Sequence, residues 1–299
     1  MSYIIASFNT LKMGEYAVSQ YKKDWKLIAQ IIKSHKVDII SLQEILSERP
    51  VQELQRNLNM YGGNWDFRFE MKETVRNDRE GYAFLWNRNT ISLLVSDRKT
   101  YEPHIEAKWS RSLIRPPYIG RFIPCAPCSP FIEIRLINTH IVFGKDKYSQ
   151  ERGNDQSALR MRRAEYEKLS KQVFPSIAHT RSGDYRVGYT FITGDYNLPL
   201  RDCIFIDSRS MDEKMKMQSG QHEKTTISLN KIQENPNADA YVNDYDHFSF
   251  SNHEAEYVLF MQRIDAPRLF CNGNFAHYRE TISDHVPIIL NFNIRKRTY

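Results

Sequence analysis

The 299-residue sequence predicts an α/β sandwich in which two mixed β-sheets pack face to face with helices outside. Three observations carry this. Short apolar runs bounded by turn residues outnumber helical patterns. Their order mixes strand–helix–strand crossovers with directly adjacent strands. Hydrophobic side chains make up 41% of the chain, enough for a sizeable core. No proline- or glycine-rich linker or fixed-period repeat divides the sequence, so residues 1–299 are read as one domain.

The elements follow in order. "YIIASF" is a short apolar strand, and "DWKLIAQIIKSHK" sets Trp25, Ile28 and Ile32 at helical spacing. "VDIISLQE" is β-branched and continuously apolar, as suits a strand covered on both faces. A right-handed crossover between these two strands places Asn9 and Glu44 at one carboxyl edge. "GYAFLWN" and "TISLLVS" read as a hairpin turned by "RN", followed by the strand "FIEIRLINTH". "SALRMRRAEYEKLSKQVFPSI" is a helix ended by Pro175. "YTFITGDYN" is a buried strand that leaves Asp195 and Asn197 past its end. The polar stretch 208–243 is read as a long surface loop, and "HFSFS", "AEYVLFM" and "VPIILNF" are the closing strands.

Composition narrows the function. No apolar stretch approaches the roughly 20 residues that span a bilayer, and the N-terminus has no leader-like pattern, so a soluble cytoplasmic protein is expected. Four cysteines make no disulfide framework; Cys125 and Cys128 form one CxxC with no second pair to complete a zinc site, so free thiols are expected. The net charge of +6 favours a polyanionic partner.

Five strand ends carry polar residues: Asn9, Glu44, His140, Asp195 with Asn197, and Asp284 with His285. Singly, each reads as a cap or turn residue. Together they supply carboxylates, amides and two histidines without a nucleophile motif or Walker loop. That inventory suits metal-assisted hydrolysis of a phosphate ester. Glu44 and an aspartate would hold magnesium, with manganese or calcium as substitutes. The histidines would serve as base and acid, and the amides would donate to phosphate oxygens.

The ordered set "ASFNT", "ISLQEI", "INTHIVFG", "ITGDYNLP" and "ISDHVPI" resembles the endonuclease/exonuclease/phosphatase superfamily, nearly end to end. The resemblance implies a four-layered sandwich, divalent-metal dependence and cleavage of phosphate esters. "DREGYAFLW" is similar to a segment of the deoxyribonuclease I branch, which would pair Glu80 with His140. "IRPPYIGRF" is similar to that branch's arginine-x-proline segment, which would put Arg115 on the DNA backbone with Arg121 beside it. "DYDHFSF" resembles its Tyr-Asp strand, which would pair Asp246 with His285. Asp265 in "QRIDAP" resembles the aspartate strand of abasic-site endonucleases, but the proline after it reads as a surface turn.

The implied function is a magnesium-dependent DNA endonuclease of low sequence preference. Glu44, with Asp284 or Asn9, would hold the metal. His285 with Asp246 would activate water, His140 with Glu80 would serve the leaving oxygen, and Asp195 and Asn197 would position phosphate. Arg111, Arg115, Arg121, Thr225 and Tyr118 are the expected substrate contacts. Two basic groups, Lys108 to Arg121 and Lys145 to Arg163, are candidates for the DNA backbone. The alternatives are a phosphoesterase of the same fold acting on inositol phosphates or sphingomyelin, an abasic-site repair endonuclease, and an idle binding module.

Overall fold

A computed structural model describes residues 2–15, 23–73, 79–96, 98–125, 131–144, 156–180, 186–209, 216–235 and 238–294. One sheet is built from β1 (Ser2–Met13), β2 (Ile39–Ile45), β3 (Trp65–Glu73) and β4 (Arg79–Asn87), with two late strands. The second sheet uses β5 (Ile91–Leu93) and, after the short pair β6 (Val95–Ser96) and β7 (Lys99–Thr100), β8 (His104–Ile105), β9 (Tyr118–Pro124) and β10 (Ile132–His140). It continues with β11 (Val187–Asp195), β12 (Met217–Gly220) and β13 (Asp246–Ser251). β14 (Val258–Arg263) and β15 (Ile288–Asn293) return to the first sheet, whose order is β14-β15-β1-β2-β4-β3. The second runs β12-β13-β11-β10-β9-β5.

Alternation along each strand sorts side chains between layers. On β1, Tyr3 and Ile5 face the inter-sheet core with Phe84, Phe122, Leu136 and Phe191. Ala6 and Phe8 point outward against α1 (Trp25–Ser34) and α2 (Glu48–Met60). On the far side, Ile137 and Ile192 pack under α3 (Gln156–Lys168) and its continuation. Helices, two sheets and helices make the four layers expected.

Several local readings change. "RN" turns no hairpin: β4 stays in the first sheet while β5 pairs β9 in the second, so the segment crosses between sheets. Pro175 does not end its helix. A π-turn at Leu169–Val173 resets the chain, and Pro175 falls in the first turn of α4 (Phe174–Ala178), where no intrahelical donor is needed. The 208–243 stretch is not all loop, since it contains β12 and α6 (Leu229–Glu234), after α5 (Leu200–Asp207). Ala255 ends α7 (Asn252–Ala255), so "AEYVLFM" becomes a strand only from Val258. Two short helices, α8 (Ala266–Phe270) and α9 (Phe275–Thr281), precede β15.

Candidate active site

Strand register brings the polar ends together. β1 and β2 are parallel with Asn9 opposite Gln43, so Glu44 follows at the same edge. β10 and β11 are parallel with His140 opposite Asp195, and antiparallel β13 sets Asp246 opposite Asp195. Gly194, at φ 149°, allows this approach, because a Cβ there would run into the Thr139 carbonyl. Glu44 sits at φ 59°, in the left-handed region, at the shift in register between β2 and its neighbours. Its Oε1 accepts from Asn9 Nδ2 at 3.0 Å and its Oε2 from the Lys12 amide at 3.1 Å.

The two sheets are tied together beside this edge. Gln43 Nε2 donates to Asn138 Oδ1 at 2.7 Å, and Asn138 Nδ2 donates to the Leu42 carbonyl at 3.0 Å. Both residues are fully buried.

Two histidine–carboxylate pairs straddle the sandwich. His285 Nδ1 donates to Asp246 Oδ2 at 2.8 Å, and His140 Nδ1 donates to Glu80. Glu80 also takes Arg115 at 2.7 Å and the backbone amide of Glu44. Arg115 approaches His140 Nδ1 at 3.0 Å, but that nitrogen holds one proton and Glu80 takes it, so the arginine meets the ring as a like charge. The Nε2 edges of both rings face Asp195 Oδ2, at 3.5 Å from His140 and 3.6 Å from His285. Burial opposes charge on His285, but Asp246 and Asp195 outweigh it and hold the imidazolium well above the usual histidine range. For His140, burial and Arg115 oppose charge while Glu80 and Asp195 outweigh them, so its pKa also rises. Burial pushes Asp195 up, with Asp246 adding to it and both histidines resisting. Glu80 ends below its usual range, because His140 and Arg115 overcome its burial.

Asn197, at φ 48°, closes a turn in which its amide donates to Asp195 Oδ1 at 2.8 Å. Its side-chain Nδ2 donates to the Ile141 carbonyl at 2.9 Å and faces His140 Nε2 at 3.4 Å. The donor set fits a hard divalent cation. Asn9 Nδ2 bridges Glu44 and Asp195 at 3.0 and 2.9 Å, so these carboxylates converge. Among the described residues, donor atoms of Asp195, Asp246 and His285 lie within 4.8 Å of one another, and Asp246 Oδ1 is buried without a hydrogen-bond partner. As oriented, Asn9 offers its nitrogen rather than its oxygen to the carboxylates, which makes it a spacer between them.

No family model and no curated protein matches the sequence. Solved structures do match. An endonuclease/exonuclease/phosphatase from Bacteroides vulgatus superposes with a TM-score of 0.61 at 14% identity, covering 99% of this chain and 100% of that one. The chain has the endonuclease/exonuclease/phosphatase fold. TDP2 from D. rerio, complexed with a single-strand DNA product, shares that fold at TM-score 0.59 and 14% identity, covering 98% and 99% of the two chains. Truncated TDP2 from Caenorhabditis elegans shares it at 0.57 and 15%, covering 98% of each.

Within this fold the expected substrate contacts separate. Arg115 is drawn into the site by Glu80, with its side chain 14% exposed, so it lies beside the histidine rather than on an outer backbone-tracking surface. Arg121 does not join it. It is spent on Glu133, which also holds Arg135 at 2.9 Å. Tyr118 is a core residue, stacked on Phe84 with ring centroids 4.9 Å apart. Thr225 is fully buried, and its hydroxyl accepts from the Asp246 amide at 3.3 Å, so it supports the aspartate strand instead of touching substrate. Arg111 is exposed. Asp284 Oδ2 lies 3.2 Å from Arg279, which holds it at the rim. Asp265 precedes α8 and accepts from Tyr241 and Arg268, as a turn residue would. In the second basic group, Lys145, Lys147 and Arg152 lie outside the described residues, as does Cys128 of the CxxC. Arg160 is exposed, Arg162 is buried and Arg163 bonds Asp202 at 2.9 Å.

Three participants escaped the sequence reading. Gln43 and Asn138 sit inside apolar strands, where a polar residue covered on both faces was the available signal. Lys23 is buried with its Nζ on the Ile282 carbonyl at 2.6 Å. Burial pushes that ammonium down to about 8, while nearby Asp284 and Glu44 pull the other way.

Proposed function

We propose that the protein is a magnesium-dependent phosphodiesterase that cuts DNA. The observation that carries this reading is the pair of buried histidines, each held by its own carboxylate and each turning Nε2 toward Asp195. A phosphate at Asp195 would meet one ring on either side, as in-line displacement of an ester oxygen by water requires. His285, oriented by Asp246, takes the proton of the attacking water in its neutral form, which Asp246 and Asp195 disfavour, so this step speeds as pH rises. His140, oriented by Glu80, gives a proton to the leaving oxygen. Asn197 Nδ2 lies where it can donate to a non-bridging oxygen. A divalent cation held by Glu44 and Asp195 would polarise the phosphoryl oxygen and offset charge developing in the transition state.

DNA as the substrate is supported by the net charge of +6 and by the single-strand DNA product in the D. rerio TDP2 structure. The test is nicking of supercoiled plasmid with magnesium and with EDTA, run beside release of phosphate from an inositol phosphate. Metal-dependent nicked circles are expected. Intact plasmid with rapid phosphate release would place the chemistry on a small phosphoester instead.

A further inference from the structure

Phe143 and Tyr245 flank the site and belong to none of the three apolar clusters found among the described residues. Both are half-buried, with ring centroids 6.3 Å apart and planes tilted by 49°. Phe143 lies three residues past His140, and Tyr245 immediately precedes Asp246. Behind them stands Arg162 of α3, itself 3% exposed. Its guanidinium lies 4.7 Å from the Phe143 ring centre, hydrogen-bonds the Tyr245 hydroxyl and donates to the Asn197 carbonyl at 2.7 Å. Gly144, at φ 88°, brings the chain after Phe143 against Ala158 and Met161 of α3. The rings are therefore fixed from behind by the same arginine that holds the catalytic turn, while part of each stays open to solvent.

Resting on the phosphodiesterase reading above, we propose that Phe143 and Tyr245, backed by Arg162, form a stacking wall for an unpaired nucleobase next to the bound phosphate. A base inside a duplex has both faces covered by its neighbours, so only an unstacked base reaches such a wall. The tilt makes a notch, in which one ring stacks on the base and the other meets its edge. The preferred DNA is then single-stranded, or frayed beside the cut.

The test separates base recognition from chemistry. Fluorescence anisotropy measures binding of a short oligothymidylate and of an abasic oligomer with the same number of phosphates, with calcium in place of magnesium and, in parallel, with EDTA. The wild type is expected to favour the oligothymidylate about tenfold, from one stacked base. Phe143→Ala should bring the two within about twofold, and Tyr245→Phe, which keeps its ring, should preserve most of the preference. Equal affinities in the wild type, no measurable binding of either oligomer, or an undiminished preference in Phe143→Ala overturns the wall. So does a Tyr245→Phe protein that loses the preference as fully as Phe143→Ala, since the hydroxyl contact to Arg162 would then be the cause. Plasmid nicking by the same proteins reports on the chemistry alone: a protein that nicks without discriminating bases refutes the wall and leaves the phosphodiesterase intact, and the reverse result does the opposite.

Discussion

Asp207 offers the sharpest test of the packing behind the Asp195–Asn197 turn. It is buried where α5 meets β12. Its Oδ1 accepts from the Tyr166 hydroxyl at 2.9 Å and its Oδ2 from Ser219 at 2.8 Å. Ser249 joins both to the Tyr196 hydroxyl, between Asp195 and Asn197 in the chain. Burial raises the Asp207 pKa from 3.8 to about 6, against the two hydroxyl donors and Lys171. Because the folded value lies above the unfolded one, the fold holds the extra proton, and stability is lost as pH rises from about 4 through 6. At about 1.4 kcal/mol per pH unit, the charged form costs about 3 kcal/mol above pH 7 and about 1 kcal/mol near pH 4.5. Asp207→Asn keeps one acceptor and one donor group, like the protonated acid, but cannot ionise. Urea denaturation at both pH values should show the variant gaining up to about 3 kcal/mol at the higher pH and clearly less at the lower. An equal gain at both, or a loss at high pH, would show that the network holds a carboxylate anion and would refute the reasoning.

Three further outcomes follow from the site. Glu44→Gln should keep the fold, lower plasmid nicking at least about a hundredfold, and abolish the rise in melting temperature on adding magnesium. Asp246→Asn should lower the cleavage rate by about 10²–10⁴, measured at saturating DNA, because His285 loses the carboxylate that fixes its tautomer. Gln43→Leu and Asn138→Leu should each cost about 1–3 kcal/mol in urea denaturation by stranding a buried partner. The double variant should cost less than both together, which a double-mutant cycle reads directly.

The strand ends were legible because a polar residue directly after an apolar run has few structural uses, and parallel order then fixes which ends share an edge. "ITGDYN" shows this, whereas "SDH" precedes its apolar run and reaches the same edge because β15 runs antiparallel to β1. The pairing of Glu80 with His140 was not legible from spacing, since 60 residues separate them, and it came from resemblance alone. Misreadings arose where the deciding partner lies far along the chain. β5 is taken by β9 rather than by the neighbouring β4, and β12 exists because β13 pairs with it. Exposure was equally hidden. Nothing in "PPYIGRF" says that Tyr118 faces Phe84, or that Arg121 faces a buried glutamate one strand away.

Each histidine–carboxylate pair is divided between the sheets. His140 ends β10 of the second sheet, and its partner Glu80 lies on β4 of the first. His285 leads into β15 of the first sheet, and its partner Asp246 starts β13 of the second. Sheet separation therefore sets both contacts at once, and under the proposed mechanism the inter-sheet core is part of the catalytic geometry. Phe84 is fully buried there, stacked on Tyr118, and a Cβ on Gly120 would collide with its ring. Leu54 is equally buried, but in the core between α2 and the outer face of the first sheet. Phe84→Ala and Leu54→Ala should destabilise by similar amounts, about 3–4 kcal/mol in urea denaturation. Their activities should diverge. Collapse around the Phe84 cavity moves the sheets together, and a shift of about 1 Å in reacting groups costs up to about a hundredfold. Leu54→Ala leaves the inter-sheet distance alone. Cleavage measured at a temperature where both variants are folded should fall at least about tenfold for Phe84→Ala and less than about twofold for Leu54→Ala. Equal losses would mean that the pairs are held locally by their own strands, and that the sandwich spacing carries no catalytic information.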